Sequence, residues 1–392
     1  MREFSKGNKL MKIIFNRTET INTISPLLCA VGRSNIPAVE CILIEAKKGE
    51  PLTLTTFDLE KGVRCNCNAT VLEEGFYCIH AQKLFQTLKV MEGDEVTLIV
   101  NEKLETTISS GRSTYKMSAF RGEDFPQIPS LKTQMGFELS SSLLRRTIGK
   151  ISFAMAQNDQ RQVLNGAFFR IRDGEMLAVA CDTFKLAKCV CTANLINRNS
   201  DGEALRYSYI VPNKTMNELY RMLPDDEEEN VTIYISRKTM VYHFDGLIFF
   251  TKIIEGEYID FERIILTNHK IIAYADKDKL LSALERAAVV TEEKIAGSNR
   301  TPLKFCLEKG ILKLTANSSA GSSYDELEVE HTGDDILIAF NNRFLIDSVR
   351  ACSTPRVKIE LSTPLYSINI KPVDPEDESE DLFFLLPVRM KN

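Results

Sequence analysis

The stretch Met176-Leu177-Ala178-Val179-Ala180-Cys181-Asp182 decides the fold, because similar text occurs three times along the chain. An earlier copy, Leu52-Thr53-Leu54-Thr55-Thr56-Phe57-Asp58, ends 124 residues before it. A later copy, Ile311-Leu312-Lys313-Leu314-Thr315-Ala316-Asn317, ends 135 residues after it. Each copy follows a charged turn with a glycine, and each reads as a short strand that ends at an Asp or Asn suited to a turn. The spacing predicts three copies of one domain.

Helices recur at the same interval as these strands. A first amphipathic helix in each repeat is predicted by apolar residues at helical spacing, namely Ile21, Ile24, Leu27, Leu28 and Val31, then Leu143, Leu144, Thr147, Ile148, Ile151 and Met155, then Leu280, Leu281, Leu284, Ala287 and Ala288. A second helix is predicted at Leu84, Phe85 and Leu88, at Met216, Leu219, Tyr220 and Leu223, and at Phe344, Leu345, Ser348 and Val349. The predicted fold class is α+β, with three domains of roughly 125–130 residues, each of two helices packed on antiparallel sheets.

The composition is that of a globular protein. The 392 residues are 44% hydrophobic and 26% charged, which excludes a disordered, collagen-like or coiled-coil chain. No run of about 18 apolar residues occurs, so no membrane partner is expected, and the first seven residues lack the apolar core of a signal peptide. The net charge is -5, so a nucleic-acid partner would require positive charge concentrated on one surface.

The ten cysteines and four histidines do not form a recognisable metal or disulfide pattern. Two C-x-C pairs occur, Cys65/Cys67 and Cys189/Cys191, and on a strand such residues share a face. They are predicted to be small buried residues of a reduced, cytoplasmic protein. No metal and no cofactor are expected.

The predicted helices carry Lys and Arg opposite their apolar stripes. Arg146 and Lys150 lie four residues apart, and three further pairs lie seven apart, namely Lys214/Arg221, Lys279/Arg286 and Arg343/Arg350. A solvated helix surface and a surface for phosphates both fit this pattern. The acidic runs 225–229 and 374–381 are predicted to be solvated loops, since blocks of like charge repel and seldom pack.

Several motifs in this order resemble those of a known family. The first predicted domain has Gly32-Arg33-Ser34-Asn35-Ile36-Pro37, Thr56-Phe57-Asp58-Leu59-Glu60 and Asp124-Phe125-Pro126. The second has Leu164-Asn165-Gly166 and Ala180-Cys181-Asp182-Thr183-Phe184-Lys185-Leu186-Ala187, and the chain closes with Leu385-Leu386-Pro387-Val388-Arg389-Met390. With the triplication, they resemble the bacterial DNA polymerase III beta subunit, the DNA sliding clamp. The resemblance covers roughly residues 11–390 and implies clamp domains at 11–130, 136–266 and 270–392, after an extension of residues 1–10.

The resemblance implies a non-catalytic processivity factor with no cofactor. Two chains would form a head-to-tail ring, a homodimer, that encircles double-stranded DNA without reading its sequence. The implied contacts with DNA are Arg33, Asn158 and Arg161, and helical spacing adds Arg146, Lys150, Lys214, Lys279 and Arg343. The implied dimer interface places Tyr115 and Met117 against Val289 and Val290.

The resemblance also implies a hydrophobic cleft that binds short peptide motifs of the replicative DNA polymerase, the clamp loader and repair proteins. Its implied residues are Leu164, Cys181, Thr183, Phe184, Lys185, Leu186, Ile259, Ile264, Ser367, Leu386, Pro387, Val388, Arg389 and Met390. The family usually has Thr-Asp-Gly-His-Arg-Leu at residues 181–186, so Gly, His and Arg usually stand in place of Thr183, Phe184 and Lys185, and Pro commonly stands in place of Ile259. The change to Phe184 enlarges the apolar wall.

Two other classes of function were weighed against the clamp. An enzyme is disfavoured because the sequence has no G-x4-G-K-[ST] loop and no G-x-S-x-G elbow. The paired carboxylates Asp58 and Asp182 occupy equivalent turns of a repeat, whereas catalytic sites are single and asymmetric. A divergent clamp-like protein that binds partners without acting as a loaded DNA clamp is the remaining alternative.

Overall fold

The computed structural model describes residues 10–32, 35–131, 134–172, 174–291, 301–319, 321–375 and 379–390. Arg33 and all but the last residue of the expected 1–10 extension lie outside the described residues. Within these ranges the chain forms two compact units. The first takes in residues up to 141 with 196–203 and 221–253, and the second takes in 142–195, 204–220 and 254 onward.

Six α-helices occur in the described part of the chain, two for each predicted repeat. They are α1 (Arg17–Leu27), α2 (Ala81–Val90), α3 (Ser141–Ile151), α4 (Asn213–Met222), α5 (Lys277–Thr291) and α6 (Asn342–Ala351). Polar caps fix where several of them begin: the side chain of Asn16 accepts a hydrogen bond from the Glu19 backbone N–H, and that of Asn341 accepts one from Arg343. The six predicted helices are confirmed, but Val31, Met155 and Leu223 lie beyond the ends of α1, α3 and α4.

Short strands fill the rest of the described chain. In chain order they are β1 (Met11–Asn16), β2 (Cys41–Ala46), β3 (Leu52–Phe57), β4 (Lys61–Cys67), β5 (Thr70–Glu73), β6 (Gly75–His80), β7 (Glu95–Val100), β8 (Glu105–Ser110), β9 (Ser113–Arg121), β10 (Gly136–Ser140), β11 (Gly166–Arg172), β12 (Glu175–Cys181), β13 (Lys185–Thr192), β14 (Ile196–Asn197), β15 (Arg206–Pro212), β16 (Asn230–Ile235), β17 (Thr239–Phe244), β18 (Leu247–Lys252), β19 (Ile271–Asp276), β20 (Leu303–Glu308), β21 (Ile311–Ser318), β22 (Gly321–Glu328), β23 (Glu330–Thr332), β24 (Ile336–Phe340), β25 (Arg356–Leu361), β26 (Ile368–Pro372) and β27 (Glu380–Leu385).

The first unit contains one 14-stranded antiparallel sheet in the order β14-β10-β16-β17-β18-β4-β3-β2-β6-β9-β8-β7-β1-β5. The second unit contains a nine-stranded sheet, β15-β11-β12-β13-β27-β26-β25-β19-β23, and a four-stranded sheet, β22-β21-β20-β24. In the nine-stranded sheet, β13 pairs with β27, although their sequences lie nearly 200 residues apart. This pairing brings the end of the chain beside the repeated Asp182 turn.

The repeated turns have the same hydrogen bonds in the first two copies. One carboxylate oxygen of Asp58 accepts the backbone N–H of Lys61 at 2.7 Å, and Asp182 accepts that of Lys185 at 2.8 Å. The second oxygen pairs with the side-chain ammonium of the same lysine in each turn. These aspartates hold tight turns between strands, which favours the structural interpretation of the pair over an acid/base role.

The C-x-C cysteines lie on strands and are buried, as predicted. Cys65 and Cys67 are on β4, and Cys189 and Cys191 are on β13, each no more than 4% exposed. All ten cysteines are free thiols. Burial is the main cause that raises the pKa of Cys65 to about 12, so its reactive thiolate form is suppressed.

One acidic run behaves differently from the prediction. Residues 225–229 are exposed and outside helices and strands, as expected. In the run 374–381, however, β27 already begins at Glu380, and Asp381 is only 4% exposed. The prediction of a solvated loop is therefore wrong for Asp381, because a lysine pairs with its carboxylate inside the fold.

No helix in the described ranges combines the length and the apolar character that crossing a membrane requires.

Candidate partner cleft and basic helix faces

The floor of the candidate cleft is a row of buried side chains across three neighbouring strands. In the sheet register, Cys181 of β12 pairs with Leu186 of β13, which pairs with Phe384 of β27. Directly paired residues share one face of a sheet, and these three pack with Leu164 and Phe261 in one apolar cluster. Leu164, Cys181 and Leu186 are each no more than 6% exposed, so they form the base of the site.

Several of the other predicted cleft residues are exposed apolar side chains. Phe184 is 57% exposed, and Leu386, Val388 and Met390 are between 37% and 40% exposed. The three tail residues follow β27 at every second position. Ile264 is 41% exposed. An apolar surface of this kind over a buried floor is typical of a peptide-binding groove.

Two backbone hydrogen bonds hold the tail in this position. The Leu386 N–H donates to the Phe184 carbonyl at 2.9 Å, and the Val388 N–H donates to the Ala339 carbonyl at 2.7 Å. Pro387 is half-buried and Arg389 is exposed. The backbone of the tail is therefore attached to the turn before β13 and to β24 of the four-stranded sheet.

The three altered positions of the turn have different environments. Thr183 is exposed, its φ lies outside the left-handed region, and its hydroxyl accepts a hydrogen bond from Arg161 at 3.1 Å. The turn therefore does not need the glycine that the family usually has there. Lys185 is 8% exposed; its ammonium pairs with Asp182 and lies 4.4 Å from the centroid of the Phe344 ring. Its charge is directed into the fold.

The remaining predicted cleft residues are half-buried or buried. Ile259 packs against the apolar cluster of the floor. Ser367 is 3% exposed, and its hydroxyl has no hydrogen-bond partner in the described part of the chain. A group bound beside it would satisfy this hydroxyl.

The sequence reasoning missed three aromatic or aliphatic residues near the cleft. Leu365 and Tyr366, immediately before Ser367, are 81% and 53% exposed. The available signal was the occurrence of two apolar residues directly after Pro364. Phe344 was assigned only to the apolar stripe of its helix, and its contact with Lys185 depends on a pairing that sequence spacing does not show.

Four of the five predicted helix cations are exposed. They are Arg146 on α3, Lys214 on α4, Lys279 on α5 and Arg343 on α6. Arg343 contacts Asp347 at 3.3 Å, and Arg286 and Arg350 make ion pairs with Asp325 and Glu285. Partly neutralised but exposed cations suit weak contacts with phosphates.

Lys150 does not fit the predicted phosphate contact. Its side chain is 12% exposed, and its ammonium lies 2.8 Å from the carboxylate of Asp381, whose side chain is 0% exposed. Helical spacing placed Lys150 on the same side as Arg146, but the helix border there is covered by β27. We therefore leave Lys150 out of the surface that faces DNA.

The loop after α3 presents Asn158 and Arg161. Asn158 is exposed and adopts a φ of 60°, a conformation that asparagine tolerates. The Arg161 guanidinium donates to both carboxylate oxygens of Asp159, at 3.1 and 3.2 Å, and these hydrogen bonds lower the pKa of Asp159. Arg161 is thus oriented at the surface, with 54% of its side chain exposed.

The predicted interface residues lie on or beside strand edges. Residues 113–118 of β9 pair with β8, whereas only residues 119–121 pair with β6. Tyr115 is 38% exposed and Met117 is half-buried. In the second unit, β22 is the edge strand of its sheet, and α5, which packs on it, carries Val289 at 79% exposure and the half-buried Val290.

Among the described residues, no three His, Cys, Asp or Glu side chains come together as a metal site.

Comparisons with known proteins agree along the whole chain. Family models described as the N-terminal, central and C-terminal domains of the DNA polymerase III beta subunit match residues 11–129, 138–260 and 262–385. A beta sliding clamp of Chlamydia trachomatis is 28% identical over 384 residues, which cover 97% of this chain and 88% of the relative. One of Pseudomonas aeruginosa is 28% identical over 376 residues, which cover 94% of this chain and 97% of the relative.

Solved structures give the same result for the fold. A Pseudomonas aeruginosa sliding clamp bound to griselimycin is 27% identical with a TM-score of 0.85, covering 98% of this chain and 100% of that one. A putative DNA polymerase III beta subunit from Eubacterium rectale has a TM-score of 0.89 at 24% identity, covering 97% of this chain and 100% of that one.

Proposed function

The chain belongs to the bacterial DNA polymerase III beta subunit family, the sliding clamps, and on that premise we propose how its surfaces carry out the function. It is a DNA sliding clamp, a non-catalytic processivity subunit made of three clamp domains. The alternative, a divergent clamp-like protein without a loaded state, is not favoured, because all three domain models match. We place the domains at 11–130, 136–266 and 270–392, and the protein in the cytoplasm with the replication machinery.

The ring consists of two chains joined head to tail. Residues 113–118 of β9, which do not pair with β6, pair in one chain with β22 of the other chain, and this closes two open sheet edges. Charge complementarity supports this pairing: Lys116 lies in the first edge and Arg112 beside it, and Glu326 and Glu328 lie on the second. Tyr115 and Met117 then meet Val289 and Val290, whose exposed apolar surface the second chain would cover.

Double-stranded DNA passes through the ring and is held by topology. The exposed cations Arg146, Lys214, Lys279 and Arg343 attract phosphates, Asn158 and Arg161 add contacts from a loop, and Arg33 remains a proposed contact. Each phosphate contact is weak and interchangeable, so the ring slides without reading sequence. The net charge of -5 disfavours DNA binding elsewhere on the surface.

Partners bind in the cleft over Leu164, Cys181 and Leu186. The observation that carries this proposal is the backbone hydrogen bond between Leu386 and Phe184, two exposed apolar residues that directly adjoin strands of the buried floor. Short peptide motifs of the replicative polymerase, the clamp loader and repair proteins would bury Leu and Phe anchors there. The buried hydroxyl of Ser367 is available to a polar group of the peptide.

Two measurements test the clamp function. Light scattering over a concentration series should give a mass near twice 44.3 kDa, and the loaded protein should stay on closed circular DNA but leave it once the circle is cut. A monomer at all concentrations, or equal loss from closed and cut circles, would contradict a ring held by topology.

A further inference from the structure

A buried ion pair connects a basic helix to the strand beneath the cleft. Lys150 of α3 donates to Asp381 of β27 at 2.8 Å, and its ammonium also lies 3.3 Å from the Ser379 hydroxyl. The side chain of Asp381 is completely buried, and that of Lys150 nearly so. A charged pair removed from water in this way requires both members, because either one alone is an uncompensated buried charge.

The two faces of strand β27 contact different parts of the second unit. Asp381 pairs in register with Cys189, and Phe383 two residues later has its ring centroid 6.0 Å from that of Phe153, just after α3. The alternating residues Leu382 and Phe384 point to the opposite face, where both pack in the apolar cluster of the cleft floor. The ion pair therefore fastens, from behind, the strand whose other face is the floor.

The strand also leads directly into the cleft wall. Leu385 ends β27, and Leu386 begins the tail whose N–H donates to the Phe184 carbonyl. A shift of β27 against β13 would displace Phe384 from Leu186 and would strain this hydrogen bond. Packed side chains and paired strands transmit such a shift because interiors have few voids to absorb it.

We propose that Lys150 is a positioning residue for the partner cleft, which it acts on by holding β27 through Asp381, and that it does not contact DNA. This inference rests on the proposed peptide-binding function of the cleft. Asp381 already has one carboxylate oxygen without a hydrogen bond in the described structure. Removing Lys150 leaves the buried carboxylate of Asp381 without its counter-charge, so the start of β27 must then move toward water.

Two substitutions one turn apart on α3 separate the two roles. Lys150→Met removes the buried cation, and Arg146→Met removes an exposed one from the same helix. The first measurement is the affinity for a fluorescein-labelled peptide with Leu and Phe anchors. The second is the salt dependence of binding to a short DNA duplex, both at a temperature where thermal unfolding shows the variant to be folded.

The two variants should show opposite effects. Lys150→Met should weaken peptide binding about tenfold, within the range for members of one polar network, and leave the salt slope unchanged. Arg146→Met should keep the peptide affinity and reduce the slope by about 0.9, the value of one lost phosphate contact. A further variant, Lys150→Met with Asp381→Leu, strands no charge and should recover most of the affinity.

The outcomes distinguish this inference from the function on which it rests. If the unsubstituted protein does not bind the peptide, the proposed cleft is wrong. The inference is overturned if the unsubstituted protein binds the peptide and folded Lys150→Met binds it equally well. It is also overturned if Lys150→Met reduces the salt slope of DNA binding by about one. If Lys150→Met does not fold, the double variant replaces it, and a salt slope reduced by about one would overturn the inference.

Discussion

Truncating Phe184 to alanine tests the proposed cleft, and the exposed area of the Phe184 side chain sets the expected loss of binding free energy. Its side chain is 57% exposed in the free chain, and an aromatic side chain has a surface of about 200 Å². A bound peptide that covers the exposed part removes about 110 Å² from water, worth up to about 3 kcal/mol at 25 cal/mol per Å². Because a rim position is incompletely covered, we expect Phe184→Ala to weaken binding by about 2 kcal/mol, or roughly 30-fold.

The assay is fluorescence anisotropy of the labelled peptide that carries Leu and Phe anchors. The free energy of unfolding should change little, because Phe184 is mostly exposed and its backbone hydrogen bonds to Asp182 and Leu386 remain. Val90→Ala on α2, where the side chain is 64% exposed, is the matched control and should bind as the unsubstituted chain does. An affinity of Phe184→Ala within twofold of the control would refute the assignment of Phe184 to the cleft wall.

Three further predictions concern the repeated turn, the interface and one buried carboxylate. Leu59 has a φ of 78° in the first Asp turn, whereas Thr183 at the equivalent place has a negative φ. Leu59→Gly should therefore raise the free energy of unfolding by about 0.5 kcal/mol, and Thr183→Gly should lower it by about 0.5–1 kcal/mol. Denaturant unfolding that shows a change of the same sign for both variants would contradict this prediction. Val289→Asp should place an unpaired charge in the proposed interface and convert the dimer to a monomer, as measured by light scattering. Val90→Asp, the control, should remain a dimer. If Val289→Asp also remains a dimer, the interface lies elsewhere. Burial acts to raise the pKa of Glu360, but hydrogen bonds from Lys358 and Lys371 outweigh it and lower the pKa. Its contribution to stability is therefore present above its unfolded pKa of about 4.3 and lost as the pH falls through the lowered folded value; Glu360→Gln should destabilise the protein at pH 7 and much less in acid, and a difference that is constant with pH would contradict this.

Local signals were sufficient for the repeated elements. The six helices appear where apolar residues recur at helical spacing, and Asp58 and Asp182 close the turns after strands whose text is repeated. These features depend on neighbours within about four residues along the chain, which is why periodicity and turn chemistry identify them. The buried C-x-C pairs follow from strand alternation in the same way.

Sequence patterns did not predict which charged side chains are exposed and which are buried. Lys150 lies at the border of the apolar stripe of α3, and a lysine there can extend into water or turn toward a buried partner. Its partner, Asp381, is 231 residues away and belongs to an acidic run that like-charge repulsion predicts to be a solvated loop. Lys185 likewise turns toward Asp182 and Phe344. For Lys150 a tertiary neighbour decided that the charge faces inward, whereas the acidic partner of Lys185 lies three residues away in its own turn.

The sequence by itself determined the three-fold repetition, the α+β class and the family, because these depend on residue patterns spread over the whole chain. Only the tertiary structure decided which residues form the cleft floor and which cations remain at the surface. The floor requires β27 to pair with β13, and the buried Lys150 requires the carboxylate of Asp381, which lies 2.8 Å from its ammonium in the fold. Desolvation makes such a pairing compulsory once the chain has folded, but the distance along the sequence conceals it.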